Sequence, residues 1–170
     1  MIFLKLLSFF FFVPFKGHHQ PLGGGHIMKK ILSIILIAFV LFQPVQANAA
    51  TADDEYLLSF VNAARAEAGL SPLTMDGKLS KAAETRAAEC EAKFSHTRPD
   101  GTDFYTVDPS CVYGENLAQG QSYHSLADIC EQWMLSPSHK ANILCADSTK
   151  TGFGVYRTSN GIYYVAEEFN

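Results

Sequence analysis

Gly152-Phe153-Gly154-Val155-Tyr156-Arg157, Thr158-Ser159-Asn160-Gly161 and Ile162-Tyr163-Tyr164-Val165-Ala166 follow one another near the end of the chain, and together they decide the fold. The outer segments are rich in β-branched and aromatic residues, which suit a pleated, half-buried surface. The polar spacer ends in Asn-Gly, a pair that favours hairpin turns. Two antiparallel strands are therefore expected here. Cys111 to Ala118 reads as a third. Everything upstream carries helical period instead, so the class is α+β, helices with a small antiparallel sheet.

Working back from the hairpin, Ser138 to Leu144 is a short helix, with Ser136-Pro137 as N-cap and first-turn proline and His139 in the first turn. Ser125 to Leu135 precedes it, with Leu126, Ile129, Cys130 and Trp133 inward. A helix from about Gly77 to Lys93 turns Leu79, Ala82, Ala83, Arg86, Ala87 and Cys90 inward, and its many alanines suit close approach to a neighbour. The first helix, Asp53 to Ala68, has Leu57, Leu58, Val61, Ala64 and Ala68 on one side. Thr51 caps it, Asp53-Asp54-Glu55 supply an acidic first turn, and Gly69 stops it.

The first 49 residues have a different composition. They contain Lys5, Lys16, Lys29 and Lys30 and no acidic residue. Met28-Lys29-Lys30, the apolar run Ile31 to Phe42, and Ala47-Asn48-Ala49 are ordered as in a secretory signal peptide, with cleavage after Ala49. The run is shorter than the ~20 residues a bilayer-spanning helix needs. Gly23-Gly24-Gly25 just ahead of Met28 reads as a purine-rich ribosome-binding site. Residues 1–27 are thus expected to be a mis-assigned start or a leader extension, and 28–49 the signal peptide.

Of 13 basic and 17 acidic residues, nine basic and all the acidic ones lie after residue 49, a formal charge of −8. Such a domain is a poor partner for nucleic acid or anionic membranes. All four cysteines, Cys90, Cys111, Cys130 and Cys145, lie in this part. In an exported chain an even count reads as two disulfides with three possible connectivities. Cys90–Cys111 and Cys130–Cys145 close the shorter loops. Without any Cys-x-x-Cys spacing, a cysteine metal site is disfavoured.

The exported part has three histidines, His96, His124 and His139. His96 stands on a loop ahead of the turn Pro99-Asp100-Gly101. Glu115 in Gly114-Glu115-Asn116-Leu117-Ala118 puts a carboxylate at the edge of a buried strand, where it needs a partner. His139 at a helix start is favoured as neutral imidazole, the form that binds metal or accepts a proton. His124 has no motif partner and reads as exposed. Asn116 and Asn142 read as backbone tethers, and Trp133 as core. Tyr113 and Arg98 are candidates for lining a cleft.

His96-Thr97-Arg98-Pro99-Asp100-Gly101, the Gly114 to Ala118 segment, Trp133 to Leu144 and Gly152-Phe153-Gly154 resemble, in this order, the bacterial secreted branch of the CAP superfamily. That superfamily unites cysteine-rich secretory proteins, antigen 5 and pathogenesis-related 1 proteins, and its module is also called the SCP domain. The resemblance covers residues 54–169. It implies a three-layer α-β-α sandwich with a central cleft. It also implies that His96, Glu115 and His139 match three members of a cleft tetrad of two His and two Glu. The fourth falls at Ser136 by spacing from the tryptophan; Glu131 is the nearest substitute and Glu167 a weaker candidate.

Three functions follow from these residues. The favoured one is a non-enzymatic secreted binding module in which His96 and His139 hold Zn²⁺ or another divalent metal with Glu115 nearby, since paired imidazoles suit zinc better than calcium or magnesium. Its partner would be cell-wall polymer, lipid or protein. The second is a hydrolase acting on peptide or wall polymer, metal-assisted or with Glu115 or a histidine as general base. No His-Glu-x-x-His or Gly-x-Ser-x-Gly motif supports it. The third, lipid binding, is borrowed from eukaryotic relatives.

Overall fold

The computed structural model describes residues 50–122 and 124–170; the expected leader segments 1–27 and 28–49 lie outside the described residues. Helix α1 (Ala52–Glu67) begins at Thr51, whose hydroxyl accepts from Asp54 N while Asp54 Oδ2 accepts from Thr51 N at 2.8 Å. Gly69, at φ +73°, ends it as expected. A two-residue strand β1 (Thr74–Met75) leads into α2 (Gly77–Ala92), capped by Asp76. Then come a 3-10 turn (Phe104–Val107), β2 (Gly114–Gln121), α3 (Leu126–Leu135) capped by Ser125, α4 (Pro137–Ile143), β3 (Lys150–Arg157) and β4 (Ile162–Phe169). Among the described residues, no helix is long and apolar enough to cross a membrane.

The sheet runs β1-β3-β4-β2. The β3–β4 hairpin and the β2–β4 pair are antiparallel, whereas β1, too short to show a period in the sequence, joins β3 in parallel. The third strand starts at Gly114 rather than Cys111. The residues before it are consumed by a turn in which Asp108 Oδ1 accepts from Ser110 N and Asp108 O accepts from Cys111 N and Val112 N.

The strand period divides the core into two faces. On one, Leu117, Tyr164 and Ala166 meet Ala83, Ala87 and Cys90 of α2. Approach is close enough that a Cβ on Gly152 would lie 2.1 Å from Ser80 N and one on Gly154 2.4 Å from the Ala83 carbonyl carbon. The alanine-rich inner side of α2, six residues as read from the sequence, is thus matched by strand glycines. On the other face, Phe153, Val165, Phe169 and Ala118 pack against Leu57 and Val61 of α1, Ile129 and Trp133 of α3, and Ile143 of α4. The result is the expected α-β-α sandwich. Each fully buried large apolar side chain contributes about 1.5–3 kcal/mol.

Two expectations are corrected. The buried stripe of α1 is Leu57, Val61 and Arg65, while Ala68 is exposed. Arg65 is 1% exposed and ties down the 143–148 segment, donating to the carbonyls of Ser71, Ile143, Cys145 and Ser148 at 2.8–3.2 Å. Its planar fork of donors makes such burial tolerable. The cysteines are free thiols in the structure, not the two disulfides expected. Cys90 and Cys130 are packed in separate core clusters as small apolar groups, and burial pushes their thiols up to about 11 and about 12.

Candidate functional site

The first part of the site hangs on Arg86. A charge on an otherwise alanine-lined helix side demands a partner, and the guanidinium, 0% exposed, finds two carboxylates. Nε donates to Glu115 Oε2 at 2.6 Å and Nη2 to Glu115 Oε1 at 3.2 Å, while Nη1 reaches Glu89 Oε2 at 2.7 Å. Nη2 also donates to Ser95 O at 2.7 Å, which pins the start of the His96 loop. Arg98 closes the back of the cluster on Glu89 at 2.6 Å. The Pro99-Asp100-Gly101 turn forms as expected, with Gly101 at φ +89° and Arg98 N donating to Thr102 O at 2.8 Å.

His96 meets Glu115 Oε1 through Nδ1 at 2.7 Å. An ionised carboxylate only accepts, so Nδ1 carries the proton and Nε2 is the ring's outward nitrogen. The His96 side chain is 57% exposed, whereas that of Glu115 is 0%. Burial opposes the charged form of Glu115, but hydrogen bonds from His96 and Arg86 outweigh it and hold the carboxyl below the ordinary range. The ring of His96 also stands edge-on to Phe104, at 6.2 Å between centroids, and Phe104 to Tyr105 at 5.8 Å.

His139 comes from the opposite layer. Its half-buried ring is held toward the neutral form, by burial first and then by the nearby His96. The direction matches the sequence reading, but the cause is not the helix start. Asn116 and Asn142 are the tethers they were read as. Asn116 Nδ2 donates to His139 O at 3.2 Å, and Asn142 Nδ2 to Glu115 O at 3.1 Å and Asn116 Oδ1 at 2.9 Å. Helix α4 is thereby stitched to the strand that carries Glu115.

The remaining candidates fall elsewhere. Glu131 is exposed on α3. Ser136 caps α4 without a side-chain bond to its backbone and shares its hydroxyl with Ser138 at 3.2 Å. Glu167 faces the α1/α3/α4 layer, not the α2 layer, accepting from Asn116 Nδ2 and Thr151 Oγ1, each at 3.3 Å. His124 is half-buried and accepts from Gln121 N at 3.1 Å. Trp133 is core, 1% exposed, with its N–H on Leu117 O.

Two residues enter the site that the sequence reading had not placed there. Arg86 was readable, since it sits on the inner stripe of α2. Glu168 was not, because only the β2–β4 register sets it opposite Glu115. Glu168 is 0% exposed and neither carboxyl oxygen makes a well-formed hydrogen bond. Burial and then the Glu115 charge push its pKa well above the carboxylate range, so it is protonated at neutral pH. Among the described residues, no group of three or more His, Cys, Asp or Glu side chains is arranged to hold a metal ion.

A four-stranded sheet between one helix and a three-helix layer, with His96 bonded to a buried Glu115 and His139 near it, is the architecture of a CAP/SCP domain. The model of the CAP, or cysteine-rich secretory protein, family matches residues 58–169, and the chain belongs to that family. It is 31% identical over 123 residues to YkwD of Bacillus subtilis, which covers 68% of this chain and 47% of that protein. The chain thus spans about half the length of this curated relative. Among solved structures, an outer surface protein from Borrelia burgdorferi superposes with a TM-score of 0.59 at 24% identity, covering 71% of this chain and 93% of that one. An extracellular protein containing an SCP domain from Bacillus anthracis gives 0.57 at 20% identity, covering 69% and 40%. At these identities the likeness shows the fold.

Proposed function

We propose that this chain is an exported, non-enzymatic binding module whose cleft offers His96 and His139 to a divalent metal such as Zn²⁺. The single observation that carries the reading is the commitment of Glu115. Both its oxygens are taken by Arg86 and His96, and it is held ionised at low pKa. A carboxylate so engaged is a weak general base, but it orients an imidazole well, as carboxylates do for histidines that bind metal. His139, held neutral, suits the same role. Two imidazoles fit zinc, copper or nickel, with water or the bound partner completing the shell. Export is supported by the leader composition and by the outer-surface and extracellular character of the similar proteins. The partner is wall polymer, lipid or protein.

Zinc titration by calorimetry, repeated with His96→Ala and His139→Ala, tests this. Each variant should lose at least tenfold in affinity; unchanged affinity in both overturns the metal reading. A hydrolase is favoured by one feature, the ionised Glu115 beside the protonated Glu168, a split pair of the kind acid–base enzymes use. Turnover of casein or wall polymer that disappears in Glu115→Ala would establish it. No turnover leaves the binding module.

A further inference from the structure

A cavity of about 370 Å³ opens between the start of β2 and the loop joining α4 to β3. Tyr113 and Asp147 stand on its lining with Gly114, Asn142 and Phe169. Tyr113 is 72% exposed, a high value for an aromatic ring, and among the described residues it makes no ring contact or side-chain hydrogen bond. Phe169 on the same lining is 2% exposed and packed into the core, so it closes the floor of the cavity and Tyr113 is its accessible ring. The cavity therefore has one accessible aromatic wall, the ring of Tyr113.

Its polar groups are all acceptors or neutral. Asp147 is the one charged side chain on the lining, and among the described residues its carboxylate forms no ion pair or hydrogen bond. Asn142 directs its amide N–H groups to Glu115 O and Asn116 Oδ1, which leaves its own carbonyl oxygen as an acceptor. No Lys or Arg is on the lining. Arg65 lies behind the same loop, but it is buried and its donors go to four backbone carbonyls. An unpaired carboxylate, an amide carbonyl and one exposed aromatic ring around one space are the complement of an organic cation, which gains Coulomb and cation–π attraction together.

We infer that this cavity binds a small alkylammonium compound, its ammonium on Asp147 and Asn142 Oδ1 and its aliphatic stem against the ring of Tyr113. The site shares β2 and the Asn142 tether with the His96–Glu115 cluster but uses neither His96, His139 nor the Glu115 carboxylate, so it stands or falls separately from the metal reading.

The test is a titration of the exported protein with n-butylammonium, n-butanol and butyrate, followed by backbone amide shifts. The ammonium should move Gly114, Asn142 and Asp147 saturably, the alcohol should bind at least tenfold more weakly, and butyrate should not bind. Asp147→Asn and Tyr113→Ala should each weaken the ammonium at least tenfold, with Tyr113→Phe close to wild type. Both positions are exposed, and the amide spectrum reports that the variants fold. Equal binding of alcohol and ammonium, or an unchanged dissociation constant in Asp147→Asn, overturns the proposal. So does loss of binding in His96→Ala, which would move the amine into the metal cleft.

Discussion

Two adjacent rungs of the β2–β4 ladder treat buried carboxyls in opposite ways. At the Glu115–Glu168 rung, facing α2, a guanidinium is present and one carboxyl is ionised. At the Asn116–Glu167 rung, facing α1, α3 and α4, the partners are an amide and a hydroxyl. There burial dominates and pushes Glu167 up to about 8. Burial alone keeps a carboxyl neutral; it takes a positioned cation to hold one charged in the same depth of core. Arg65 is buried on the second face too, but its donors go to backbone carbonyls and its charge is only the last of the influences on Glu167, whereas Arg86 bonds Glu115 directly, and that carboxylate reaches an exposed histidine.

The largest effect should come from removing the cation. Arg86→Met leaves Glu115 buried without its guanidinium, and breaking a buried pair from one side costs about 3–5 kcal/mol. Urea unfolding should show the midpoint falling accordingly. The same variant should release the His96 loop, because Ser95 O loses its donor. A loss below about 1 kcal/mol would mean that the two rungs are not different after all.

The second rung is tested by pH. Glu167 has its folded pKa raised above the unfolded value, from 4.5 to about 8. The folded state therefore holds the proton over this window while the unfolded state has lost it, and stability falls as pH rises, by up to about 1.4 kcal/mol per pH unit from this group. Glu168 acts in the same direction. Glu115, shifted down, contributes stability that is present above the unfolded value and is lost only as pH falls through its folded pKa. Glu167→Gln keeps a neutral group of the same shape, so its unfolding free energy should decline less between about pH 5 and 8 than that of the wild type. Parallel curves would refute the neutral assignment.

The same contrast explains what was legible beforehand. Caps and stops are local chemistry, so Thr51 and Gly69 marked the ends of α1 correctly. The inner stripe of α2 follows from period alone, and it already contained Arg86. Pairing across the sheet is not local. Nothing near Glu168 in the chain indicates that Glu115 lies opposite, and nothing in Arg65 announces that carbonyls eighty residues on will need its donors. The start of β2 was misread because the apolar Cys111 and Val112 look like strand, while the Asp108 turn before them decides the backbone.

The smallest effects should separate the faces once more, through a pair of tyrosines. Tyr163 lies on the crowded face, and its hydroxyl donates to His124 O at 3.1 Å and Ser125 O at 3.2 Å. Tyr156 packs on the α2 side, and its hydroxyl donates to the exposed Glu91 at 2.8 Å. Removing the Tyr163 hydroxyl strands a shielded bond, and Tyr163→Phe should cost about 1 kcal/mol, a typical net hydrogen-bond value. Tyr156→Phe should cost less than about 0.5 kcal/mol, because water replaces the lost donor at an exposed carboxylate. Thermal unfolding at one pH resolves the two. If Tyr156→Phe proved the costlier, then Glu91 would be part of the charged network on the α2 face, and the boundary between the two faces would extend to the end of that helix.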